Sequence, residues 1–131
     1  MERGEVPGGC FCGEIRYRAR ARPISQATCH CASCRRAAGA QAVAWVTFPA
    51  GSFTVEQGEP VSYHAPNGAV WSFCPRCGTT LTYQHDQRPG EVDVTTGSLD
   101  DPEAFPPTRD VNLDEKVSWV QPLPRAPQLE E

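Results

Sequence analysis

Residues 15–20 alternate in character. Ile15, Tyr17 and Ala19 fall on one side, and Arg16, Arg18 and Arg20 on the other. A period of two is that of a half-buried strand. Residues 24–28 read as its partner, after a turn at Arg22-Pro23. Residues 42–48 form a near-continuous apolar run around Val43, Trp45 and Val46, the pattern of a strand covered on both faces. Short strands at 53–56 and 61–64 flank the turn Gln57-Gly58-Glu59-Pro60. Asn67-Gly68 is a strong hairpin signal, joining 61–64 to a strand at 69–73. Further strands are expected at 80–84, 91–95 and 117–120. Only residues 33–38 suit a helical turn, ended by Gly39.

These elements describe an all-β fold, a small sandwich or tent of short antiparallel strands with minimal helix. Residues 1–7 read as a loose lead-in, 8–121 as one domain, and 122–131 as a Pro-rich tail. At 131 residues the chain suits one domain. Its 11 Gly and 13 Pro amount to about 18% against a typical ~12%, which excludes a helical bundle and suits many turns.

No stretch approaches the ~20 apolar residues of a membrane span. The start lacks the apolar core of a secretory signal, so a cytoplasmic location is expected. The net charge of −4 disfavours non-specific binding to nucleic acid. Nothing in the sequence sets an oligomeric state.

Seven cysteines change the picture. They fall into three groups: Cys10-Phe-Cys12, Cys29-His-Cys31-Ala-Ser-Cys34, and Cys74-Pro-Arg-Cys77-Gly78. An odd number cannot all pair within one chain. A C-x-x-C loop converges two thiolates on one metal, and a following Gly lets the chain turn sharply beneath it. Cys10 and Cys12 supply the other two sulfurs if they lie two apart on an extended strand and share a face. Gly8-Gly9 and Gly13 would permit the bend. The expected result is a closed structural zinc that staples the fold. Two buried thiol pairs, or a redox C-x-x-C, are the alternatives.

The middle group has three sulfurs and no fourth cysteine. Three protein ligands with an open position is the pattern of a catalytic zinc. A closing ligand from His30, His64 or His85, or three unmetallated reactive thiols, would also fit. His30 alternates with Cys29 and Cys31, so its side chain should point away from their metal. Arg35 and Arg36 follow Cys34 and could bind a substrate carboxylate, or simply form a solvated face. Trp45 could wall a pocket or pack in the core. His85 and Asp86 are proton carriers by type alone.

These motifs resemble those of the glutathione-dependent formaldehyde-activating family, which includes centromere protein V-like proteins and has an Mss4-like β fold. The resemblance is carried by Gly8-Gly9-Cys10-Phe11-Cys12-Gly13, by Cys29 to Gly39, by Ala44-Trp45-Val46, by Phe73 to Gly78, and by Thr96-Gly97-Ser98-Leu99-Asp100. It implies two zincs per chain: a structural one on Cys10, Cys12, Cys74 and Cys77, and an open one on Cys29, Cys31 and Cys34. It implies a carbon–sulfur lyase-like activity that joins a thiol such as glutathione to a small aldehyde such as formaldehyde. The chain departs from the family at Trp71, where a basic residue is common, and at Arg109, about where the family has a His-Ile step. A non-enzymatic zinc interaction module, or a thiol or metal sensor, is the alternative function.

Overall fold

A computed structural model describes residues 4–124. Ten strands and one helix follow in chain order: β1 (Val6–Gly9), β2 (Arg16–Ala19), β3 (Ser25–Cys29), α1 (Ala32–Ala38), β4 (Val43–Pro49), β5 (Phe53–Gln57), β6 (Val61–His64), β7 (Ala69–Phe73), β8 (Thr80–His85), β9 (Glu91–Thr95) and β10 (Arg109–Val111). They form two sheets. The smaller has the order β1-β2-β5, and the larger β10-β3-β4-β9-β8-β7-β6. All named pairs are antiparallel except β10 with β3.

The sandwich core lies between the sheets. Ile15, Tyr17 and Ala19 of the small sheet's side meet Val46, Phe48, Val92 and Val94 of the large one, all nearly inaccessible. The alternation at 15–20 therefore points its apolar side inward. The outward arginines pair with acids on the surface: Arg16 with Asp100, and Arg18 with Glu5 and Glu56. β4 is apolar on both faces because both are covered. Val46 and Phe48 enter the sandwich, while Val43 and Trp45 join a second cluster with Cys29, Cys34, Ala69 and Trp71.

The hairpin at Asn67-Gly68 forms as its sequence predicts. Gly68 has φ +96°, and Asn67 Oδ1 accepts the Ala69 amide. The helix α1 ends at Gly39 in the left-handed conformation, φ 63°.

Five local expectations need correction. Residues 24–28 do not pair with 15–20. β3 instead pairs with β4 and β10, while β2 is flanked by β1 and β5. The strands at 53–57 and 61–64 flank one turn but enter different sheets. The lead-in is partly a strand, since Val6 is 3% exposed in the core and Pro7 sits on an edge strand where a missing N–H costs little. Gly8 lies in that strand as well. A Cβ there would collide with the Tyr17 hydroxyl and the Ser98 carbonyl, so close approach rather than bending requires glycine. Residues 117–120 form a turn, and the last strand is β10, whose Thr-Arg-Asp-Val sequence carries no clear alternation. The expected tail lies mostly outside the described residues.

Candidate metal centres and the adjoining cavity

Two turns from different sheets bring four cysteines together. Cys10 follows β1 and Cys12 sits in the β1–β2 turn, while Cys74 follows β7 and Cys77 sits in the β7–β8 turn. Cys10 and Cys12 are thus not neighbours on an extended strand, as their spacing suggested. They converge because the chain folds back on itself, with the Gly13 amide on the Cys10 carbonyl at 3.2 Å. Gly78 turns the second loop with φ +84°, as expected from its place after Cys77. The four sulfurs lie within 4.8 Å of one another. Cys10 to Cys12 is 3.6 Å and Cys12 to Cys74 is 3.8 Å.

Sulfurs at Zn–S ~2.3 Å on a tetrahedron stand about 3.8 Å apart, so this donor set fits a zinc-sized ion. Backbone amides point at the sulfurs: Ile15 N to Cys10 at 3.2 Å, and Arg76 N and Cys77 N to Cys74 at 3.3 and 3.4 Å. Such N–H groups favour thiolate over thiol. The Thr79 hydroxyl, foremost, holds the Cys77 thiol down to about 5. All seven cysteines are free of disulfides.

The second group is local. Cys29 ends β3, Cys31 caps α1 by accepting the Cys34 amide at 3.3 Å, and Cys34 is buried in that helix. Their sulfurs also lie within 4.8 Å of one another, with Cys34 to Cys29 at 3.4 Å. No fourth His, Cys, Asp or Glu joins them among the described residues. The spacing again suits a tetrahedral ion, with one corner left to something other than these side chains.

Without a metal, the three share protons unequally. The hydrogen bond from Cys34 foremost, then the Cys31 amide and the Asn112 side chain, hold Cys29 down to about 5 against the upward push of burial. The same Cys34–Cys29 bond and burial drive Cys34 far up.

Two residues brace this group. His30 is 1% exposed, and its Nε2 meets Asp110 Oδ1 at 2.7 Å. Its backbone amide donates to Val111 at 3.1 Å, so β10 clamps the Cys29–Cys31 segment twice. Asn112 donates from Nδ2 to Cys29 Sγ at 3.2 Å. It holds φ 59°, the only left-handed non-glycine among the described residues. Asn tolerates that conformation better than most residues.

All three sulfur residues line a cavity of about 470 Å³. Its floor is the outer face of the large sheet, opposite the sandwich core. Trp45, Trp71 and Tyr83 wall it, with ring centroids at 6.1 Å for Trp45 to either neighbour and 4.6 Å for the edge-on Trp71–Tyr83 pair. At the other end stand Thr47, Asp93, Arg88 and Arg109. Asp93 accepts from Thr47 at 2.6 Å and from Arg88 at 2.7 Å. The four-cysteine cluster does not border this cavity.

The cavity gathers some of the sequence's candidates and not others. Trp45 is both core and wall, at 5% exposure. Arg35 is spent on the carbonyls of His30 and Glu115, and neither it nor Arg36 lines the cavity. An arginine next to Cys34 in sequence sits on a helix whose turn carries it off the sulfur-bearing side. His64 lies on the exposed β6, whereas His85 lines the cavity. Trp71, Tyr83, Arg88, Asp93 and Asn112 were not singled out for this site by spacing. Each comes from a separate strand or loop, and the only signal for Asp93 and Tyr83 was a polar or aromatic residue at every second position of a buried strand.

The fold and the two sulfur clusters define a small β-sandwich protein with two groups of cysteines that could each hold a metal ion. Residues 5–115 match the family described as glutathione-dependent formaldehyde-activating enzyme, and the chain belongs to that family. Comparison with curated proteins finds no match. Among solved structures, a crystal structure of a protein from Rhodobacter sphaeroides superposes with a TM-score of 0.61 at 24% identity, over 72% of this chain and 87% of its own. That likeness supports the fold. No helix among the described residues is long and apolar enough to cross a membrane.

Proposed function

We propose that the chain joins a thiol to a small carbonyl compound at Cys29, Cys31 and Cys34, and that Cys10, Cys12, Cys74 and Cys77 hold a purely structural zinc. The observation that carries this is the contrast in surroundings. The three-sulfur group has an incomplete donor set and opens onto a cavity walled by Trp45, Trp71 and Tyr83, while the four-sulfur group is a complete donor set whose Cys10 and Cys77 border only a more open, more polar depression.

Zinc held by three thiolates would supply a position where an incoming sulfur binds as thiolate at neutral pH. The chain's own residues do the rest. Cys29, at the end of β3, and Cys31 and Cys34, at the start of α1, hold the three sulfurs within 4.8 Å of one another. Asn112 donates to Cys29 and withdraws some of its charge. Trp45, Trp71 and Tyr83 exclude water and position the carbonyl compound over the reacting sulfur. In the addition the S–C bond forms as the C=O π bond opens, and the thiol's proton ends on the new hydroxyl. The seven thiols suit a reducing compartment, and we place the protein in the cytoplasm.

Glutathione and formaldehyde are the reactants the family's name suggests. The test is exchange spectroscopy by NMR on ¹³C-formaldehyde with glutathione. The expected result is interconversion of free and adduct carbon faster than the spontaneous rate, in protein carrying two zincs per chain. A single tightly held zinc, with Cys29, Cys31 and Cys34 freely alkylated, would sink the reading.

A further inference from the structure

Addition of sulfur to a carbonyl group leaves one charge in need of a partner. As the S–C bond forms, the C=O electron pair collects on oxygen, and a fixed hydrogen-bond donor there lowers the barrier. Next to the three cysteines along the chain and across the sheet, the cavity lining offers two polar side chains, Ser33 and Asn112. Of the two, Asn112 alone touches a sulfur: its Nδ2 stands 3.2 Å from Cys29 Sγ.

Asn112 directly follows Val111, the β10 residue that pairs with Cys29 in parallel register. Its φ of 59° turns the chain at that point, and its side chain comes back onto Cys29. Charge sets the orientation of the amide. A carbonyl oxygen against thiolates is repelled, so the NH2 group is the end that faces the sulfur. That group carries two hydrogens, and Cys29 takes one. The side chain makes no other hydrogen bond among the described residues, and it does not cap the short 3-10 turn Leu113–Glu115 that follows it. Asn112 is exposed where it lines the cavity, so an arriving molecule meets it. A left-handed non-glycine residue persists where the surrounding structure holds it, and such positions gather at functional sites. Here that conformation fixes a spare N–H beside Cys29. The three cysteine sulfurs lie within 4.8 Å of one another, so a substrate sulfur that joins them also stands beside this donor.

We propose that Asn112 is a catalytic residue, with one Nδ2 hydrogen on Cys29 and the other on the oxygen of the reacting carbonyl compound. The assignment rests on the thiol-addition reading above. The incoming thiol releases its proton to water, its sulfur bonds to the carbonyl carbon, and the π pair moves to oxygen. That oxygen, held by Asn112, takes a proton from water and becomes the hydroxyl of the adduct. It lies two bonds from the substrate sulfur, so a carbonyl compound as small as formaldehyde reaches the donor. Negative charge on the oxygen grows during the addition, so the hydrogen bond strengthens toward the transition state and acts on kcat more than on KM.

Asn112→Gly is the first test, because glycine keeps the left-handed turn while losing the amide. In the formaldehyde–glutathione exchange measurement, kcat is expected to fall at least about tenfold, less than the full effect of a donor in a closed oxyanion hole because this one is exposed. KM should change less than about threefold. An unchanged kcat, or a loss carried by KM alone, would overturn the proposal.

A second measurement needs no catalysis. The side-chain amide protons of Asn112 are followed in ¹H–¹⁵N spectra of the zinc-loaded full chain. One probe is the adduct formed by mixing formaldehyde with glutathione, and the other is S-methylglutathione, which lacks only the hydroxyl. The adduct should move one of the two protons downfield and leave its partner, held on Cys29, in place. S-methylglutathione should move neither. The same response to both probes, or none to the adduct, rejects the role of Asn112. If the unmodified chain does not speed the exchange, the thiol-addition reading fails, and the proton shift still decides whether Asn112 binds the oxygen.

Discussion

The two cysteine clusters use the same atoms at nearly the same spacing, yet they sit in the molecule differently. The four-cysteine cluster ties residues more than 60 positions apart, with Cys12 and Cys74 separated by 62 in sequence. One half hangs from the small sheet and the other from the large one. The three-cysteine cluster lies within six consecutive residues on one strand end and one short helix. The first closes a long loop and the second rearranges a short one. Loop-closing contacts restrain the unfolded chain most when the loop is long, so a metal held at the first cluster would be folding energy. Metal at the second has little loop to close, and its cavity exposes it to other molecules. On the proposed function, stability and chemistry are divided between two sites of one kind of ligand.

The largest test of this division is Cys77→Ser. Structural zinc sites hold ~10–16 kcal/mol of apparent binding energy at neutral pH, as much as the whole ~5–15 kcal/mol stability of a typical domain. The variant is expected to lose its cooperative thermal transition by circular dichroism. A melting curve like that of the unmodified protein would erase the contrast.

Cys31→Ser addresses the other side. It should reduce bound zinc from two to one per chain and lower the exchange rate at least about 100-fold, with a stability loss of no more than about 1–2 kcal/mol. Atomic absorption and a denaturant titration measure both. Unfolding of this variant would make the middle cluster structural too.

A finer test is Asn112→Gly. Glycine accepts φ 59° without strain, so the variant removes the amide donor and leaves the turn intact. In protein carrying metal only on the four-cysteine cluster, Cys29 should react with iodoacetamide with a midpoint of about 5. Loss of a donor to the thiolate disfavours the charged form, so the midpoint rises. The rise is partial, because the Cys34 hydrogen bond is the larger cause. The cost in stability is about 0.5–1.5 kcal/mol.

The smallest effect belongs to Asp100, beside the four-cysteine side of the molecule. Its hydrogen bonds to Arg16 hold its carboxyl below the usual 3.8. A depressed folded-state value means stability present above the unfolded value and lost as pH falls through the folded one. Both partners are more than a third exposed, so solvent screening limits the pair to well under about 1 kcal/mol. Asp100→Asn should be slightly less stable near neutral pH, and its denaturation midpoint should converge with that of the unmodified protein as pH falls through the lowered folded-state value. A gap that persists in acid would assign the effect to packing.

Legibility in the sequence followed distance along the chain. The hairpin at Asn67-Gly68, the end of α1 at Gly39 and the turn under Cys77 were readable because each depends on a few neighbouring residues with special backbone needs. The central place of β4 was readable because burial on both faces removes polar residues from the strand itself. The partner of β2 was not. A strand's own alternation says which side is buried, but any strand with a matching face can pair with it. The edge strand β1 was hidden by Pro7 and two glycines, which normally argue against a strand.

The sequence by itself determined that the seven cysteines divide into three groups, that Cys74 and Cys77 carry the C-x-x-C-Gly turn, and that the chain is a small all-β domain of the glutathione-dependent formaldehyde-activating family. These follow from local spacing and composition. Only the tertiary structure decided which residues face the three-cysteine group. Trp71, Tyr83, Asp93 and Arg109 reach one cavity because the seven strands pair in a particular register, and all but β6 contribute residues to the same face, with Asn112 following β10 into it. Arg35, adjacent to Cys34 in sequence, is turned to the carbonyls of His30 and Glu115 instead. Ligand convergence over a few residues is a property of local backbone geometry. A binding wall is a property of strand order, which side-chain periodicity within any one segment does not encode.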